Sequence, residues 1–184
     1  MSTTRSGLEK TIGTPYLRWS DTLRDRSLVV IRPLAQQDRE AERAFIEGLS
    51  PTSRHFRFLG QVCRPSDRLL DQLTRIDAIH DVAFAAVAER DGHECIVGVS
   101  RYGVDPSGDN CECAITVADD WQGKGLGTLL MKHLIDVARA RGIRRMYSVD
   151  LAENLRMTEL AGGLGFHTRS DPDDAAQVIH ELTL

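Results

Sequence analysis

Three glycines at alternate positions mark the start of the clearest helix that the sequence predicts. They are Gly123, Gly125 and Gly127, and apolar residues then recur at helical spacing as far as residue 141. A residue without a Cβ lets a ligand approach the backbone closely, and the first N–H groups of a helix lie unpaired at the positive end of its dipole. The segment therefore predicts an anion site, and a phosphate or pyrophosphate is the favoured ligand.

Two common phosphate-binding motifs do not fit this segment. A Walker loop needs G-x-x-x-x-G-K-[ST], but Lys124 is followed by Gly125, and Ala118 stands in the place of the first glycine. A dinucleotide fingerprint needs G-x-G-x-x-G, but Thr128 or Leu130 stands where the third glycine belongs. The remaining alternatives are a different phosphate-bearing ligand and a helix start that binds nothing. Each glycine costs about 1 kcal/mol of helix propensity, which favours a ligand.

Residue patterns also predict the elements that precede the glycine segment. Helix starts are indicated by Ser50-Pro51 and Ser66-Asp67, and Asp91-Gly92 is typical of a tight hairpin turn. The predicted elements are a strand over residues 28–31, a helix over 35–49, and three strands over 82–89, 94–102 and 111–117.

The second half of the chain alternates between helices and strands. An antiparallel meander followed by such alternation predicts a mixed α/β sheet in one domain. We expect this domain to span residues 16–184, after a flexible leader over residues 1–15. The predicted elements of this half are helices over 125–141 and 154–163, and strands over 144–151, 166–169 and 177–184.

Composition excludes several classes of protein. Of the 184 residues, 41% are hydrophobic and 27% are charged, which is typical of a globular domain. The net charge of -4 argues against a nucleic-acid partner, and the longest apolar run, residues 82–88, is too short to span a membrane. The cysteines at 63, 95, 111 and 113 lack the spacing of a metal site, so we expect no bound metal. We expect these cysteines to be reduced thiols and the protein to be cytoplasmic.

Residues 122–127, with the sequence QGKGLG, match the Q/R-x-x-G-x-G/A loop of the GNAT superfamily of N-acetyltransferases. Glu112 in the preceding strand, Asn154 at the start of the next helix and the LGF segment at 164–166 extend this resemblance. Upstream, the segments IRPL and SPTSRHFRF resemble the acetyltransferase domain of bacterial Pat-type protein-lysine acetyltransferases. The resemblance covers roughly residues 20–182, which is most of the chain.

The resemblance implies the GNAT fold, an α/β (α+β) fold in which helices flank a mixed, mostly antiparallel central sheet. It also implies a V-shaped opening between two central strands, with acetyl-CoA bound in it as cosubstrate. The backbone amides of residues 123–128 would hold the pyrophosphate of acetyl-CoA. The implied cofactor-binding residues are Ile115, Thr116, Val117, Gln122, Gly123, Lys124, Gly125, Leu126, Gly127, Thr128 and Asn154.

The resemblance also implies separate roles for the members of this set. The backbone of residues 115–117 would pair with the pantetheine arm like an added strand, and the amide of Val117 would polarise the thioester carbonyl. Asn154 matches a position that contacts the cofactor from the next helix. Asparagine is equally a favoured N-cap residue, and the two roles are compatible.

Glu112 is the candidate general base for acetyl transfer to an amine. Strand alternation places it on one face with Ala114 and Thr116. An acceptor lysine has an unperturbed pKa of about 10.4, so it arrives protonated. A carboxylate whose pKa is raised by burial can take up that proton, directly or through a water. The alternative interpretation is a glutamate of an edge strand that faces solvent.

One position departs from the family pattern. Many GNAT enzymes place a tyrosine five residues before the phenylalanine of the LGF segment, as the acid for the leaving thiolate, whereas this chain has Ala161. The CoA thiolate is a fair leaving group, with an intrinsic pKa of about 8.5, as for a cysteine. The acid is therefore either dispensable or replaced by water, and the sequence leaves that role unassigned.

The Pat-like segment favours a protein lysine as the acceptor, which would attack acetyl-CoA directly in a ternary complex. Arg54, His55 and Arg57 lie in that segment and resemble a cluster on the acceptor side, although a solvated basic surface is the simpler interpretation. The other hypotheses are a small-molecule amine acceptor and a non-catalytic acyl-CoA binding module, which the alanine at position 161 keeps open.

Overall fold

One eight-stranded sheet with helices on both faces is seen in a computed structural model that describes residues 17–60, 64–77 and 79–184. The leader predicted over residues 1–15 and Cys63 lie outside the described residues. The strands are β1 (Trp19–Thr22), β2 (Leu28–Pro33), β3 (Asp81–Arg90), β4 (His93–Val104), β5 (Asn110–Val117), β6 (Arg145–Leu151), β7 (His167–Ser170) and β8 (Gln177–Thr183). The helices are α1 (Arg39–Gly48), α2 (Pro51–Phe58), α3 (Asp67–Thr74), α4 (Leu126–Ala140) and α5 (Leu155–Gly163).

The sheet combines an antiparallel meander with a single parallel pair. Its strand order is β1-β2-β3-β4-β5-β6-β8-β7. The described strands pair antiparallel except for β5 and β6, which α4 connects as a crossover. The mixed, mostly antiparallel sheet flanked by helices that the resemblance implied is therefore confirmed.

The parallel pair is short, and its two strands then separate. β5 and β6 pair only from Asn110 opposite Arg145 to Glu112 opposite Tyr147. β5 nevertheless continues to Val117 along β4, and β6 continues along β8. The expected V-shaped opening between the central strands is thus present, and it begins just beyond Glu112.

Two hydrophobic cores lie on opposite faces of the sheet. On one face, α4 packs through Leu126, Leu130 and Leu134, which are almost wholly buried. On the other face, α1 and α3 contribute Ile46 and Leu70. The opening between β5 and β6 is consequently bordered by a separate helical layer on each face of the sheet.

The longest apolar run of the sequence is a central strand buried on both faces. In β3, Val82 and Phe84 belong to the core under α4, whereas Ala83 and Ala85 belong to the core under α1 and α3. Because successive side chains of a strand point to opposite faces, both faces must be apolar here. Among the described helices, none combines the length and the apolar character needed to cross a membrane.

Several local predictions are confirmed in the structure. The side chain of Ser50 caps α2 by accepting a hydrogen bond from the N–H of Ser53 (3.1 Å), and Ser66 caps α3 in the same way. Asp91 and Gly92 both have positive φ, at 53° and 76°, as a type I′ hairpin turn requires.

Two local features differ from the sequence-based expectation. β1 was not predicted, because its four residues merely alternate between half-buried and exposed positions. The helix predicted over residues 35–49 begins as a separate 3-10 turn at Gln36–Asp38, and α1 starts only at Arg39. The carboxylate of Asp38 fixes this turn, since it accepts hydrogen bonds from the N–H of Ala35 (2.8 Å) and from Arg32 (2.8 Å).

The contact between β4 and α4 depends on a glycine. A Cβ built on Gly98 would lie 2.9 Å from Cδ1 of Leu130 and 3.3 Å from Cδ2 of Leu126. It would also lie 3.4 Å from the carbonyl oxygen of Thr116 on β5. Gly98 therefore sets how closely α4 approaches the strands that border the opening.

We expect Gly98→Ala to lower the free energy of unfolding by about 1–3 kcal/mol, because the added methyl overpacks this contact. Urea unfolding would measure the change. Gly48→Ala is the matched control, since a Cβ there meets nothing within 4 Å. An alanine at position 98 that leaves stability unchanged would contradict the close packing of α4 on β4.

Candidate active site

The glycines after β5 have local structural reasons in addition to any role with a ligand. Gly123 and Gly125 have φ values of 76° and 93°, in the left-handed region that favours glycine. A Cβ on Gly127 would lie 3.4 Å from Cδ2 of Leu160, so this glycine allows α4 and α5 to pack closely. The spacing of the glycines is therefore explained by the turn and the packing that bring the start of α4 to the opening.

The start of α4 offers a row of unused backbone donors. The N–H of Leu129 bonds to the carbonyl of Gly125 (3.1 Å), but in the described part of the chain the N–H groups of residues 123–128 donate no hydrogen bond. The first turn of α4 carries no acidic residue. The donors and the helix dipole are those that an anion needs, so this segment fits the pyrophosphate of acetyl-CoA.

Lys124 is held beside this segment by two contacts. Its Nζ lies 2.9 Å from a carboxylate oxygen of Asp25 and 4.8 Å from the ring centroid of Trp121. The Arg24 side chain also approaches the loop, with its Nε 3.5 Å from where a Cβ of Gly125 would be. The surroundings of the glycine segment are therefore compatible with a negatively charged ligand.

β5 presents a free backbone edge to the opening. The N–H of Ala118 donates to the carbonyl of Val97 on β4 (2.9 Å). Because backbone groups of successive strand residues point to opposite sides, those of Val117 and Ile115 point away from β4 and into the opening. The side-chain nitrogen of Gln122 reaches the carbonyl of Val117 from that side (3.1 Å).

Thr116 does not fit the role that the resemblance implied for its backbone. By the same alternation, its N–H and carbonyl point toward β4, where it pairs with Val99. Its side chain is buried and lines a cavity with Phe45 of α1 and Leu73 of α3. Its Oγ1 has no hydrogen-bond partner among the described residues. Of the three residues expected to pair with the pantetheine arm, only Ile115 and Val117 present their backbone groups to the opening.

Side chains from the loop after β5 tie the opening to α2 and α5. The carboxylate of Asp119 accepts hydrogen bonds from the N–H of Ser50 (2.8 Å) and from the hydroxyls of Ser50 (2.7 Å) and Ser53 (2.7 Å). Gln122 contacts Ser53 (3.3 Å) and accepts a hydrogen bond from Arg156 at the start of α5. Gln122 thus links α2, the loop and α5 through its side chain.

Asn154 forms the cap that the sequence allowed. Its side-chain oxygen accepts a hydrogen bond from the N–H of Met157 (3.3 Å), which places it as the N-cap of α5. This bond fixes where α5 begins, beside the β6 wall of the opening. A contact with the cofactor remains a separate expectation for this residue.

Glu112 is exposed, so the expectation of a buried carboxylate is wrong. It lies at the last residue pair before β5 and β6 separate, opposite Tyr147, and beyond this point β6 no longer covers β5. Within the described part of the chain, its carboxylate has no hydrogen-bond or ion-pair partner. Glu112 is therefore accessible at the point where the opening begins.

Of the three basic residues in the Pat-like segment, Arg57 is the one whose pKa is affected by Glu112 and Asp150. Arg54 donates to the carbonyl of Leu49 (2.6 Å), which gives it a structural role in the turn before α2. His55 lies 3.8 Å from Glu153. Burial and the nearby Arg101 lower the pKa of Arg57 to about 10, against the opposing effect of carboxylates that include Glu112.

Sequence reasoning missed a second carboxylate in the opening. Asp150 lies on β6, three residues beyond Tyr147, just as Ile115 lies three residues beyond Glu112 on β5. Its side chain is 17% exposed, and burial raises its pKa above the usual carboxyl value. The sequence pattern that could have identified Asp150 is the one used for Glu112, namely a carboxylate inside a predicted strand.

Comparison with known proteins assigns the family. Residues 53–166 match the family model described as "Acetyltransferase (GNAT) family", and the chain belongs to this family. It is an N-acetyltransferase, and enzymes of this family use acetyl-CoA and an amine acceptor.

Two relatives are named as acetyltransferases, and one solved structure is named as a GNAT domain. An acetyltransferase from Pseudomonas aeruginosa is 53% identical over 166 residues, which are 90% of this chain and 89% of that protein. Acetyltransferase Pat from Mycolicibacterium smegmatis is 26% identical over 168 residues, 77% of this chain and 46% of that protein. The crystal structure of the GNAT domain of S. lividans PAT superposes with a TM-score of 0.82 at 28% identity, covering 91% of this chain and 97% of that one.

The bonds between Asp119 and α2 lead to a stability prediction. Partial burial raises the pKa of Asp119, but hydrogen bonds from Ser50 and Ser53 outweigh it, so the pKa lies below the usual carboxyl value. We expect Asp119→Ala to cost about 1 kcal/mol of unfolding free energy at neutral pH, because the exposed site allows water to replace part of these bonds. Urea unfolding would measure the loss.

The direction of the pKa shift of Asp119 fixes how this loss of stability depends on pH. A carboxyl whose pKa is lowered on folding contributes stability above its unfolded pKa of about 3.9, and this contribution disappears as the pH falls through the folded pKa. The variant and the wild type should therefore converge in acid. Asp120→Ala, which removes an exposed ion pair with Arg90, is the control and should change stability less. An equal loss for both variants would contradict the role of Asp119.

Proposed function

We propose that this enzyme transfers the acetyl group of acetyl-CoA to a lysine side chain of a protein, with Glu112 as the general base. The observation that carries the proposal is the position of Glu112. It lies exposed at the last residue pair of β5 and β6, where the free backbone edge of β5 begins. A base at this point is reached both by a cosubstrate along β5 and by an acceptor that comes from solvent.

Acetyl-CoA binding is proposed to use backbone groups almost entirely. The free N–H groups of residues 123–128 hold the pyrophosphate at the start of α4. The backbone groups of Ile115 and Val117 pair with the pantetheine arm, and the amide of Val117 polarises the thioester carbonyl. Three side chains border the proposed path of acetyl-CoA, and each has a contact that fixes its position. They are those of Gln122, Lys124 and Asn154.

The chemistry follows from the protonation state of the acceptor. A lysine amine with a pKa of about 10.4 is protonated at neutral pH and is not a nucleophile. Glu112 takes up one of its protons, directly or through a water, and the amine then attacks the thioester carbonyl. The nitrogen then gives up its second proton to water, and the C–S bond breaks as the amide forms. The sulfur leaves with the electron pair of that bond. The transfer is direct, within a ternary complex.

The protein-lysine acceptor is supported by two observations. Glu112 is exposed, so it is accessible to a side chain carried on the surface of a large substrate. The solved GNAT domain that superposes with a TM-score of 0.82 is that of a PAT protein, and the segment over α2 is the part of this sequence that resembles the Pat-type enzymes. A small-molecule amine is the competing acceptor.

We also propose that the enzyme acts in the cytoplasm. Cys95, Cys111 and Cys113 are free thiols, and two of them are buried in the core. Free cysteines in these positions agree with a reducing compartment, where disulfides are rare.

Glu112→Gln tests the proposed base. At neutral pH we expect the rate of acetyl transfer to fall about 100-fold or more, because the acceptor keeps its proton. The affinity for acetyl-CoA, measured by calorimetry, should stay unchanged. Glu89→Gln, at the exposed far end of β3, is the matched control. Full activity of Glu112→Gln at neutral pH would exclude Glu112 as the base.

The acceptor is tested by labelling a cell lysate. The lysate is incubated with isotopically labelled acetyl-CoA and either the wild type or Glu112→Gln, and proteins and small amines are then analysed by mass spectrometry. We expect label on lysine side chains that depends on the wild-type enzyme. Label confined to a small amine would show that the acceptor is a small molecule and not a protein lysine. Acetyl-CoA binding without any labelled product would indicate a non-catalytic binding module.

A further inference from the structure

The departing sulfur needs a proton, and α5 offers none at the expected position. Ala161 is 1% exposed and packs in the core under α4. A methyl group exchanges no proton. The source of the proton must then be solvent or another group that lines the opening.

Asp150 lies on the opposite wall of the opening from the free edge of β5. β6 has no pairing with β5 beyond Tyr147, and Asp150 follows Tyr147 by three residues. Counted from the last residue pair, Asp150 and Ile115 are at equal depth on the two walls. Ile115 is one of the residues whose backbone groups face the opening. Asp150 therefore lies across the opening from the stretch of β5 that is proposed to pair with the pantetheine arm, at a position two residues before Val117.

The carboxyl of Asp150 is held by one hydrogen bond. Its Oδ2 accepts from the hydroxyl of Ser148 (2.7 Å), and Nε2 of His180 lies 3.8 Å from the same oxygen. Oδ1 has no hydrogen-bond partner in the described part of the chain. One oxygen is thus fixed while the other is available to a ligand in the opening.

The groups that lower the pKa of Asp150 lie on β6, β8 and α2, and they oppose the effect of burial on that pKa. Burial raises the pKa of Asp150, and the Ser148 hydrogen bond, His180 on β8 and Arg57 on α2 act to lower it. On β5, burial raises the pKa of the Cys113 thiol, and the charge of Asp150 adds to this effect. The net direction is upward, so the carboxyl holds its proton to higher pH than an exposed aspartate.

A buried histidine lies beside Asp150. His180 is 0% exposed, and its Nε2, which faces Asp150, has no hydrogen-bond partner among the described residues. Its Nδ1 lies 2.8 Å from the hydroxyl of Thr168, an exposed residue of β7. Buried polar atoms are normally paired, so an unpaired imidazole nitrogen aimed at a carboxyl calls for a reason.

We propose that Asp150 is the catalytic acid of this site and protonates the CoA sulfur as it departs. The inference rests on the proposed acetyl transfer in the same opening. As the C–S bond breaks, its electron pair stays on sulfur, and the sulfur takes the proton of the Asp150 carboxyl. The carboxylate then regains a proton from solvent in the opening, since its side chain is 17% exposed. The nitrogen loses two protons on its way to the amide: Glu112 removes one before the attack, and the second leaves to water after it. The sulfur gains one proton from Asp150, so the reaction releases one net proton to solvent.

The pH profile of the wild type and Asp150→Asn tests this role. A synthetic lysine peptide serves as acceptor, with thiol release as the readout. We expect wild-type kcat to fall as pH rises and Asp150 loses its proton, and we expect Asp150→Asn to lack that decline and to be about 10- to 100-fold slower. KM for acetyl-CoA should change little. Asp136→Asn, an exposed carboxylate of α4, is the matched control. A normal kcat for Asp150→Asn would overturn the proposal.

Ser148→Ala keeps the proposal testable if the asparagine variant does not fold. Within the described residues, Ser148 donates the one hydrogen bond to this carboxylate. Its removal disfavours the charged form, so the alkaline decline in kcat should move to higher pH. A purely structural role for Asp150 would lower stability without moving this decline. An unmoved decline in Ser148→Ala would therefore contradict the acid role.

A less basic acceptor separates the acid from the base. Aminoethylcysteine in place of the peptide lysine arrives more often unprotonated, so it should restore part of the rate of Glu112→Gln and none of the rate of Asp150→Asn. If Glu112→Gln is fully active while Asp150→Asn is slow, the result excludes Glu112 as the base and supports Asp150 as the acid. Equal rescue of both variants would contradict the assignment of Asp150.

Discussion

The separation of β5 and β6 is the constraint on which the rest of the site depends. A parallel pair that ends at Glu112 and Tyr147 leaves backbone groups of both strands without a partner inside the sheet. Unpaired backbone groups are costly when they are shielded from water, so this edge requires solvent or a ligand that can form strand-like hydrogen bonds. The same separation exposes Glu112, brings Asp150 onto the opposite wall and leads β5 directly to the free amides of residues 123–128. One irregularity of the sheet therefore generates the cosubstrate path, the proposed base and the proposed acid.

The walls of the opening are held by the rest of the sheet. β5 is paired with β4 over residues 111–117, and β6 is paired with β8 along its whole length. Gly98 allows α4 to pack closely against β4, while Asp119 and Gln122 fix the loop between β5 and α4 to α2. A site whose donors are fixed in this way needs little reorganisation when charge develops on the thioester oxygen. Its anion recognition comes from backbone groups, which is why a chain of net charge -4 can bind a phosphate-bearing cosubstrate.

Much of this arrangement follows from the sequence because it is written in local patterns. The helix after the glycines, the central strands and the caps at Ser50 and Ser66 depend on periodicity and on single turns, and all are present. The exposure of Glu112 was predicted wrongly, because it depends on where two strands separate, which no local pattern records. The backbone direction of Thr116 likewise follows from its pairing with β4. Asp150 and His180 are distant in sequence and meet only through the pairing of β6 with β8, so their relation needed the fold.

Amide hydrogen exchange of the wild-type enzyme, resolved by residue with and without saturating acetyl-CoA, tests the central claim most directly. The claim is that acetyl-CoA lies along the free edge of β5 and ends at the start of α4. We predict slower exchange at the amides of residues 123–128 and of Ile115 and Val117, with little change at Thr116, whose N–H faces β4. Protection confined to other segments, or none at these amides when acetyl-CoA is bound, would contradict the account.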